Sequence, residues 1–452
     1  MSTFVDHGAM EDATPALKKY YSDRGLMYRN AFWYLFGASA GGFGFNTVQG
    51  IMPMHMSAVG MGPESISFAL SARSWIYMVL VLYIAHVSDH WQGKWGRRLP
   101  FLLISLPFLI LGMVIFPLLH SIVLCVSVFA LFSIFVGVKY DTYPLLSYDL
   151  FRQKYWGRIA GISGLTSGFA IWAGQVFLMP LADSRGEEFV YVSAALFLFA
   201  ATLLTLIFVR EPPLRTAKAA GWNPISVIAT TLKIGFSRRS NVLLFIGFVL
   251  ITSPNLVLNY FAIQGQVNLG LSQGEVGKFV LQWGTLAGML VAPLMGSCLD
   301  RFGAVRVCIF GYGCAVAACF YGYHPKSVHE LAIAGIFITL ASGVTYTAAT
   351  IFVAAGIERE NVATFCACNG AVNHGATAIL LPICGVLIKT IFGGNYGSMF
   401  LVAALLTGIG LLLLAWLDQR RRREAGKAAL QKLQVPHAPP FGGNIQVDVQ
   451  ST

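Results

Sequence analysis

Twelve apolar stretches take up most of this chain, and nearly all of its charged residues lie in the connections between them and in the two tails. They cover residues 30–55, 65–87, 99–119, 121–149, 157–180, 189–209, 241–265, 275–299, 304–323, 328–355, 362–390 and 396–417. A helix that crosses a bilayer needs about 20 mostly apolar residues, and the longer stretches suit helices that tilt or bend. Only 11% of the residues are charged and 56% are hydrophobic, whereas a soluble domain carries about 25% charged residues. So much apolar surface has no water-soluble core large enough to hide it, so the bilayer is the solvent. The fold class expected is all-α and integral to the membrane, with twelve spanning helices.

The charges order these helices. The one long internal polar segment, Arg210 to Ser240, contains EPPLRTAKAAGWNP, and its prolines Pro212, Pro213 and Pro224 discourage one continuous helix through it. It divides the chain into an N-tail (1–29), a six-helix half (30–209), a linker (210–240), a second six-helix half (241–417) and a C-tail (418–452). With both tails in the cytoplasm, 25 Lys and Arg fall on the inner side and only Arg185, Lys326 and Lys389 on the outer. The positive-inside rule selects that orientation over its inverse. The expected location is a plasma (inner) membrane, with Arg420 to Arg423 directly after the last span, where they snorkel or touch anionic lipid. The net charge of +11 sits in turns and tails, so it points to lipid and not to nucleic acid. Residues 1–29 lack the apolar core and cleavage site of a signal peptide. The eight cysteines fall within or at the edge of apolar runs and read as packing residues, without metal-site spacing at Cys366-Ala-Cys368.

One connection stands out. Ile84 to Phe101 reads IAHVSDHWQGKWGRRLPF, with an acid closing the second helix, a glycine at the turn and arginines after it. A weaker echo, GSCLDRFGAVR, follows helix eight. The repeat predicts two similar halves. Two six-helix halves with matched basic loops resemble the major facilitator superfamily. The resemblance implies that Asp89, Gly96, Arg97 and Arg98 in the first copy, and Gly296, Asp300, Arg301, Gly303 and Arg306 in the second, form a charge clasp that holds two bundles in one state. Asp89 and Gly96 are seven residues apart, whereas Asp300 and Gly303 are three apart. The longer version, Ser88-Asp89 with Gly96-Arg97-Arg98-Leu99-Pro100-Phe101, is similar to the loop of the glycoside–pentoside–hexuronide sugar:cation symporters and the sucrose–proton symporters. His90 and Leu99 stand where those loops carry arginine.

Among the charged residues inside predicted spans three positions stand out: Arg73 in helix two, and Lys139 and Asp141 in helix four. A charge there costs at least about 2.5 kcal/mol on insertion scales and marks a pathway or a partner. Lys139 and Asp141 are two residues apart and share no face of a straight helix. Asp141 has three readings: a carboxylate that couples transport to protons or another cation, a static ion pair between helices, or a group facing the cytoplasm. Asp149, at the end of helix four, belongs to the interface turn and can join the clasp through Arg158.

Neutral polar groups recur at helical spacing: Asn46 and Gln49 on helix one, Asn255 and Asn259 on helix seven, Asn369 and Asn373 with His374 on helix eleven. Amides donate and accept hydrogen bonds at once and suit a hydroxyl-rich solute. Trp75, Trp172, Gln175, Gln282 and Trp283 add stacking platforms and further hydrogen bonds. Any single amide can equally bridge two helices. The glycines of helices one and five let helices approach and slide, and they lack the Gly-Lys-Ser/Thr of a phosphate-binding loop. No catalytic constellation is visible, so an enzyme is not expected.

These features predict a monomeric secondary transporter. Its substrate is a small polar solute, a sugar or glycoside first, with a proton or sodium as coupling ion and no other cofactor. The alternatives are an exporter of lipophilic, drug-like solutes, an organic-anion carrier that uses Arg73, and a non-transporting receptor or assembly factor with the same architecture.

Overall fold

A computed structural model describes residues 15–91, 93, 95–212, 224–237, 239–302, 304–354 and 362–434. The side chains of Asp89, Asp141, Asp300 and Cys366 and the surroundings of Gly296, together with the whole of Gly303, lie outside the described set. Among the described residues the secondary structure is helical and there is no strand, only an isolated bridge between Gly93 and Gly96. Among the described residues eight helices are long and apolar enough to cross a membrane, from Pro63–Ile84 to Ser398–Arg420, and Arg306–Gly322 and Val328–Gly343 are shorter apolar helices.

We number the membrane segments in chain order. The first, α1, runs through Arg24–Ala40, a π-helical turn at Gly41–Asn46 and Thr47–Ala58. Next come α2 (Pro63–His90), α3 (Leu99–Ile115, ending in the 3₁₀ turn Phe116–Leu118) and α4 (Ile122–Leu150). α5 is Gln153–Ala173 with a π turn at Gly174–Leu178, and α6 is Glu187–Phe208. α7 is broken into Arg239–Ile251, Pro254–Leu258 and Phe261–Leu269. α8 joins Gln273–Glu275, a π turn at Val276–Leu281 and Gln282–Phe302. The remainder are α9 (Ala304–Gly322), α10 (Val328–Ala354), α11 (Val362–Thr390) and α12 (Ser398–Gln434).

Local chemistry explains the boundaries. Pro63 opens α2 directly after Gly62, where its missing N–H costs nothing. Ser272 and Glu275 form a reciprocal capping box at the start of α8. Gly270 ends α7 in the left-handed conformation at φ 67°. Pro254 accounts for the first of the two breaks in α7, which the sequence presented as one span. Two further departures concern the connections. The linker contains a helix, Pro224–Gly235, that begins on its proline and packs on α2 and α11. α12 continues past residue 417, through the four arginines, to Gln434.

Within residues 15–209, α1 packs on α5 and α6, and α3 lies between α4 and α6. Within 224–434, α10 packs on α8 and α9, and α12 on α7 and α9. The halves meet along α2 with α11, α5 with α8, and the outer parts of α1 and α7. One apolar core, including Ile51, Met52, Phe129, Tyr260, Phe261 and Phe400, runs across this seam.

On the face that carries the chain termini, the first basic loop folds onto its own half. Gly96 turns at φ 101°, in a region that favours glycine. Arg97 donates from Nε to Asp149 Oδ2 at 3.0 Å, with a second, shorter contact to Oδ1. Arg98, buried, reaches the same carboxylate at 3.3 Å and also donates to Ser88. The Glu211 carboxylate accepts the backbone N–H groups of Arg97, Arg98 and Leu99 at 2.6, 2.9 and 2.7 Å. The helix Pro15–Ser22 closes over this cluster: Tyr20 donates to the Arg210 carbonyl at 2.7 Å, and Tyr21 to the Asp149 carbonyl at 2.9 Å. Among the described side chains the acid of this clasp is Asp149, paired with Arg97 and Arg98 and not with the exposed Arg158. In the second copy, Arg301 and Arg306 are exposed, with Arg301 lying over the Phe302 ring at 5.5 Å.

Burial is the largest influence on the Glu211 carboxyl and raises it above the ordinary range; the three N–H donors pull it down, and Asp149 pushes it up. A carboxyl raised by folding stabilises the fold most at low pH, and that contribution is lost as pH rises through the raised value. The melting temperature of the parent protein in nanodiscs should therefore fall, relative to that of Glu211→Gln, as pH rises out of the ordinary carboxylate range. Glu211→Ala, which leaves three N–H groups without their acceptor, should cost about 2 kcal/mol in denaturant unfolding.

Candidate functional site

The three π turns and the broken seventh helix surround one cavity. A π turn inserts an extra residue into a helix and frees a backbone carbonyl, and such turns gather at functional sites. The cavity has a volume of about 310 Å³ and is lined from both halves, by α1, α2, α4 and α5 on one side and by α7, α8 and α10 on the other. Its polar lining includes Asn46, Gln49, Arg73, Gln175 and Asn259. Arg73 donates to Asn259 Oδ1 at 3.3 Å, which ties α2 to α7 across the seam. Gln175 is buried and its Oε1 has no hydrogen-bond partner among the described residues. The walls between these groups are apolar, with Met52, Leu70, Phe129 and Phe261.

Toward the termini face lies a second chamber of about 330 Å³ between α1, α4 and α5, lined by Tyr34, Lys139, Tyr143, Ser147, Ser163 and Ser167 among others. Asn46 lines both chambers. Lys139 is buried there, and its Nζ has no hydrogen-bond partner among the described residues.

Five of the amide and charged residues expected at a binding site thus meet in the central cavity, and the others do not line it. Trp75 lies two residues beyond Arg73, on the opposite side of α2, and is exposed. On α8 the lining residues are Val280, Leu281, Gly284 and Thr285, so Gln282 and Trp283 face away. Gln282 bonds back to the Lys278 carbonyl of its own helix, and Trp283 is exposed. Trp172 packs against Phe169 and Phe177 of its own helix region. Asn255 accepts a bond from Ser342, linking α7 to α10. Asn373 accepts one from Thr252 at 3.1 Å, linking α11 to α7. These two bridge helices. His374 packs edge-on against Tyr77 at the α2–α11 seam, with ring centroids 5.4 Å apart, and Asn369 is half-buried on the same helix without lining either chamber. The Asp141 side chain falls outside the described residues.

A group that sequence reasoning missed closes the cavity on the face opposite the termini. Asp183, in the turn after α5, accepts the Ser272 hydroxyl at 2.7 Å and the Gly274 N–H at 3.3 Å. Glu187, at the start of α6, accepts from Gln273 at 3.1 Å and holds His55 of α1 at 2.5 Å. Glu64 pairs with Lys389 at 2.5 Å, and the hydroxyls of Ser67 and Tyr260 share a bond of 2.6 Å. A Cβ added at Gly277 would come within 2.7 Å of the Gln175 carbonyl oxygen, so only glycine lets α8 approach α5 this closely. The signal in the sequence was the capping box Ser272-Gln273-Gly274-Glu275 opposite the acidic turn Asp183 to Glu188, two polar segments that only the fold brings together.

Residues 34–291 and 266–443 match the profile of the Major Facilitator Superfamily. The chain belongs to that superfamily. It is a multi-pass membrane transporter by family, and it is 26% identical to the multidrug resistance protein MdtG of Enterobacter lignolyticus (strain SCF1) over 302 residues, 64% of this chain and 69% of that protein. Among solved structures it is similar in fold to a point mutant of the nucleoside transporter NupG, with a TM-score of 0.71 at 11% identity over 87% of this chain and 99% of the other. It is also similar to the human organic anion transporter MFSD10, with a TM-score of 0.64 at 14% identity over 86% and 99%.

In this superfamily member, removing Asp183 takes away both the hydroxyl and the N–H contacts that fasten α5 to α8. Asp183→Ala should raise the labelling rate of a cysteine placed at Gln49 by a reagent applied to the face opposite the termini. The change should be several-fold, since two lost polar contacts amount to about 1–2 kcal/mol.

Proposed function

We propose that this transporter moves a small polar solute through the central cavity by alternating access, with its halves rocking about the α2–α11 and α5–α8 seams. The observation that carries this reading is the convergence of Asn46, Gln49, Arg73, Gln175 and Asn259, from four helices and both halves, on one cavity sealed at one face. Lipid tolerates such groups only where they pair or line a wet compartment, and midplane sites at a repeat interface serve alternating access. The amides suit a hydroxyl-rich solute, a sugar or glycoside first, in keeping with the loop Ser88 to Phe101. The coupling ion is a proton, with Asp141 as its carrier. The protein works as a monomer in the plasma (inner) membrane with both termini in the cytoplasm, so the sealed face is the outer one.

Arg73 favours a second reading, an organic acid as solute, because its fixed guanidinium lines the same cavity. The apolar walls and the likeness to proteins named for multidrug resistance favour export of lipophilic compounds as a third.

Uptake into proteoliposomes, measured with and without proton and sodium gradients, tests the proposal. We expect a proton gradient to accelerate uptake; uptake indifferent to both ions overturns the coupling. Arg73→Ala should weaken uptake of an acidic solute about tenfold or more and leave a neutral sugar nearly unaffected; equal loss for both removes the distinction between the first two readings.

A further inference from the structure

The chamber between α1, α4 and α5 poses a separate question, because a lysine is buried in its wall. Lys139 is 4% exposed, and its Nζ has no hydrogen-bond partner among the described residues. The ammonium faces the π turn of α1, since a Cβ added at Gly41 would lie 3.7 Å from Nζ and 3.5 Å from the Tyr140 hydroxyl. That hydroxyl reaches the Gly41 carbonyl at 3.4 Å, and Ser163 and Ser167 add two hydroxyls to the wall. An ammonium taken out of water without a partner costs several kcal/mol. A ligand that brings an anion recovers that cost, and the Ser163 and Ser167 hydroxyls can donate to an oxyanion. Asn46 belongs to this chamber and to the central cavity alike, so one solute can have its polar body among the amides and its charge at Lys139.

Building on the organic-acid form of the transport reading above, we infer that the Lys139 chamber is an anion subsite and that the solute is a small organic acid whose carboxylate docks there. Asn46 spans the two parts of the site. Arg73 stands at the far side of the central cavity, bonded to Asn259, and steers the same class of solute toward the subsite.

The test uses the full chain in phosphatidylcholine nanodiscs and two matched pairs of probes, gluconate against sorbitol and benzoate against benzyl alcohol. Binding is read by the shift in melting temperature across a concentration series. The carboxylate of at least one pair should bind about tenfold or more tighter than its neutral partner, as a charge-assisted contact in a buried site requires. Lys139→Gln should erase that preference without weakening the neutral partner, and Lys139→Arg should keep part of it. If Lys139→Gln fails to fold, Lys139→Met reads the same preference. A carboxylate preference that survives Lys139→Gln, or no preference in either pair, overturns the subsite. A Lys139-dependent shift on adding phosphatidylglycerol, with no response to the carboxylates, gives the chamber to a lipid headgroup and overturns it too. Flux of the neutral probes with carboxylates ignored would sink the subsite and leave the transport reading intact. Tight carboxylate binding without flux would do the reverse.

Discussion

A lipid bilayer offers no hydrogen bonds, and that scarcity governs this molecule. Every backbone N–H or carbonyl that leaves the helical ladder, and every amide or charge in a span, must find a partner within the protein or a polar cavity. Among the described residues the helical ladder is disturbed at the π turns Gly41–Asn46, Gly174–Leu178 and Val276–Leu281 and in the interrupted α7. All four border the central cavity. The departures from ideal geometry and the polar side chains are therefore one feature: each is tolerable because the other supplies a polar setting for it.

The same constraint separates fixed contacts from exchangeable ones. Arg97, Arg98, Asp149 and Glu211 sit on the termini face, pair within one half and bind the basic loop to the ends of α4 and α6. Their partners all lie within residues 15–211, so they stiffen that half as a unit. The contacts of Asp183 with Ser272, Glu187 with Gln273 and Glu64 with Lys389 differ, because each crosses to the other half, and several are exposed or half-buried at the rim. Rim contacts of this kind contribute little individually, since water replaces them at nearly equal free energy. A seal made of them can open and close reversibly, while the close approach at Gly277 sets how tightly it shuts.

The sequence disclosed the architecture because bilayer thickness imposes a length and an apolar composition on every span, and both are local properties. It disclosed the amide and charged part of the cavity lining for a related reason: Asn46, Gln49, Arg73, Gln175 and Asn259 are conspicuous in an apolar setting wherever they point. Whether a conspicuous residue faces the cavity depends on helix rotation, which a π turn changes by adding a residue. Gln282 and Trp283 follow such a turn and face away from the cavity. Asn255 and Asn373 are spent on Ser342 and Thr252, partners distant in sequence. The rim acids were hidden because they lie in loops, where charge is ordinary, and the role of Glu211 was hidden because its partners are backbone N–H groups that carry no signature.

The central claim is that the face opposite the termini opens and closes while solute passes. A disulfide between Asp183→Cys and Ser272→Cys, whose native side chains are in contact at 2.7 Å, in a background with the native cysteines replaced, fastens that seal covalently. Oxidation should stop solute flux in proteoliposomes, and a reductant should restore it. Flux that continues at its full rate with the disulfide formed would contradict the central claim.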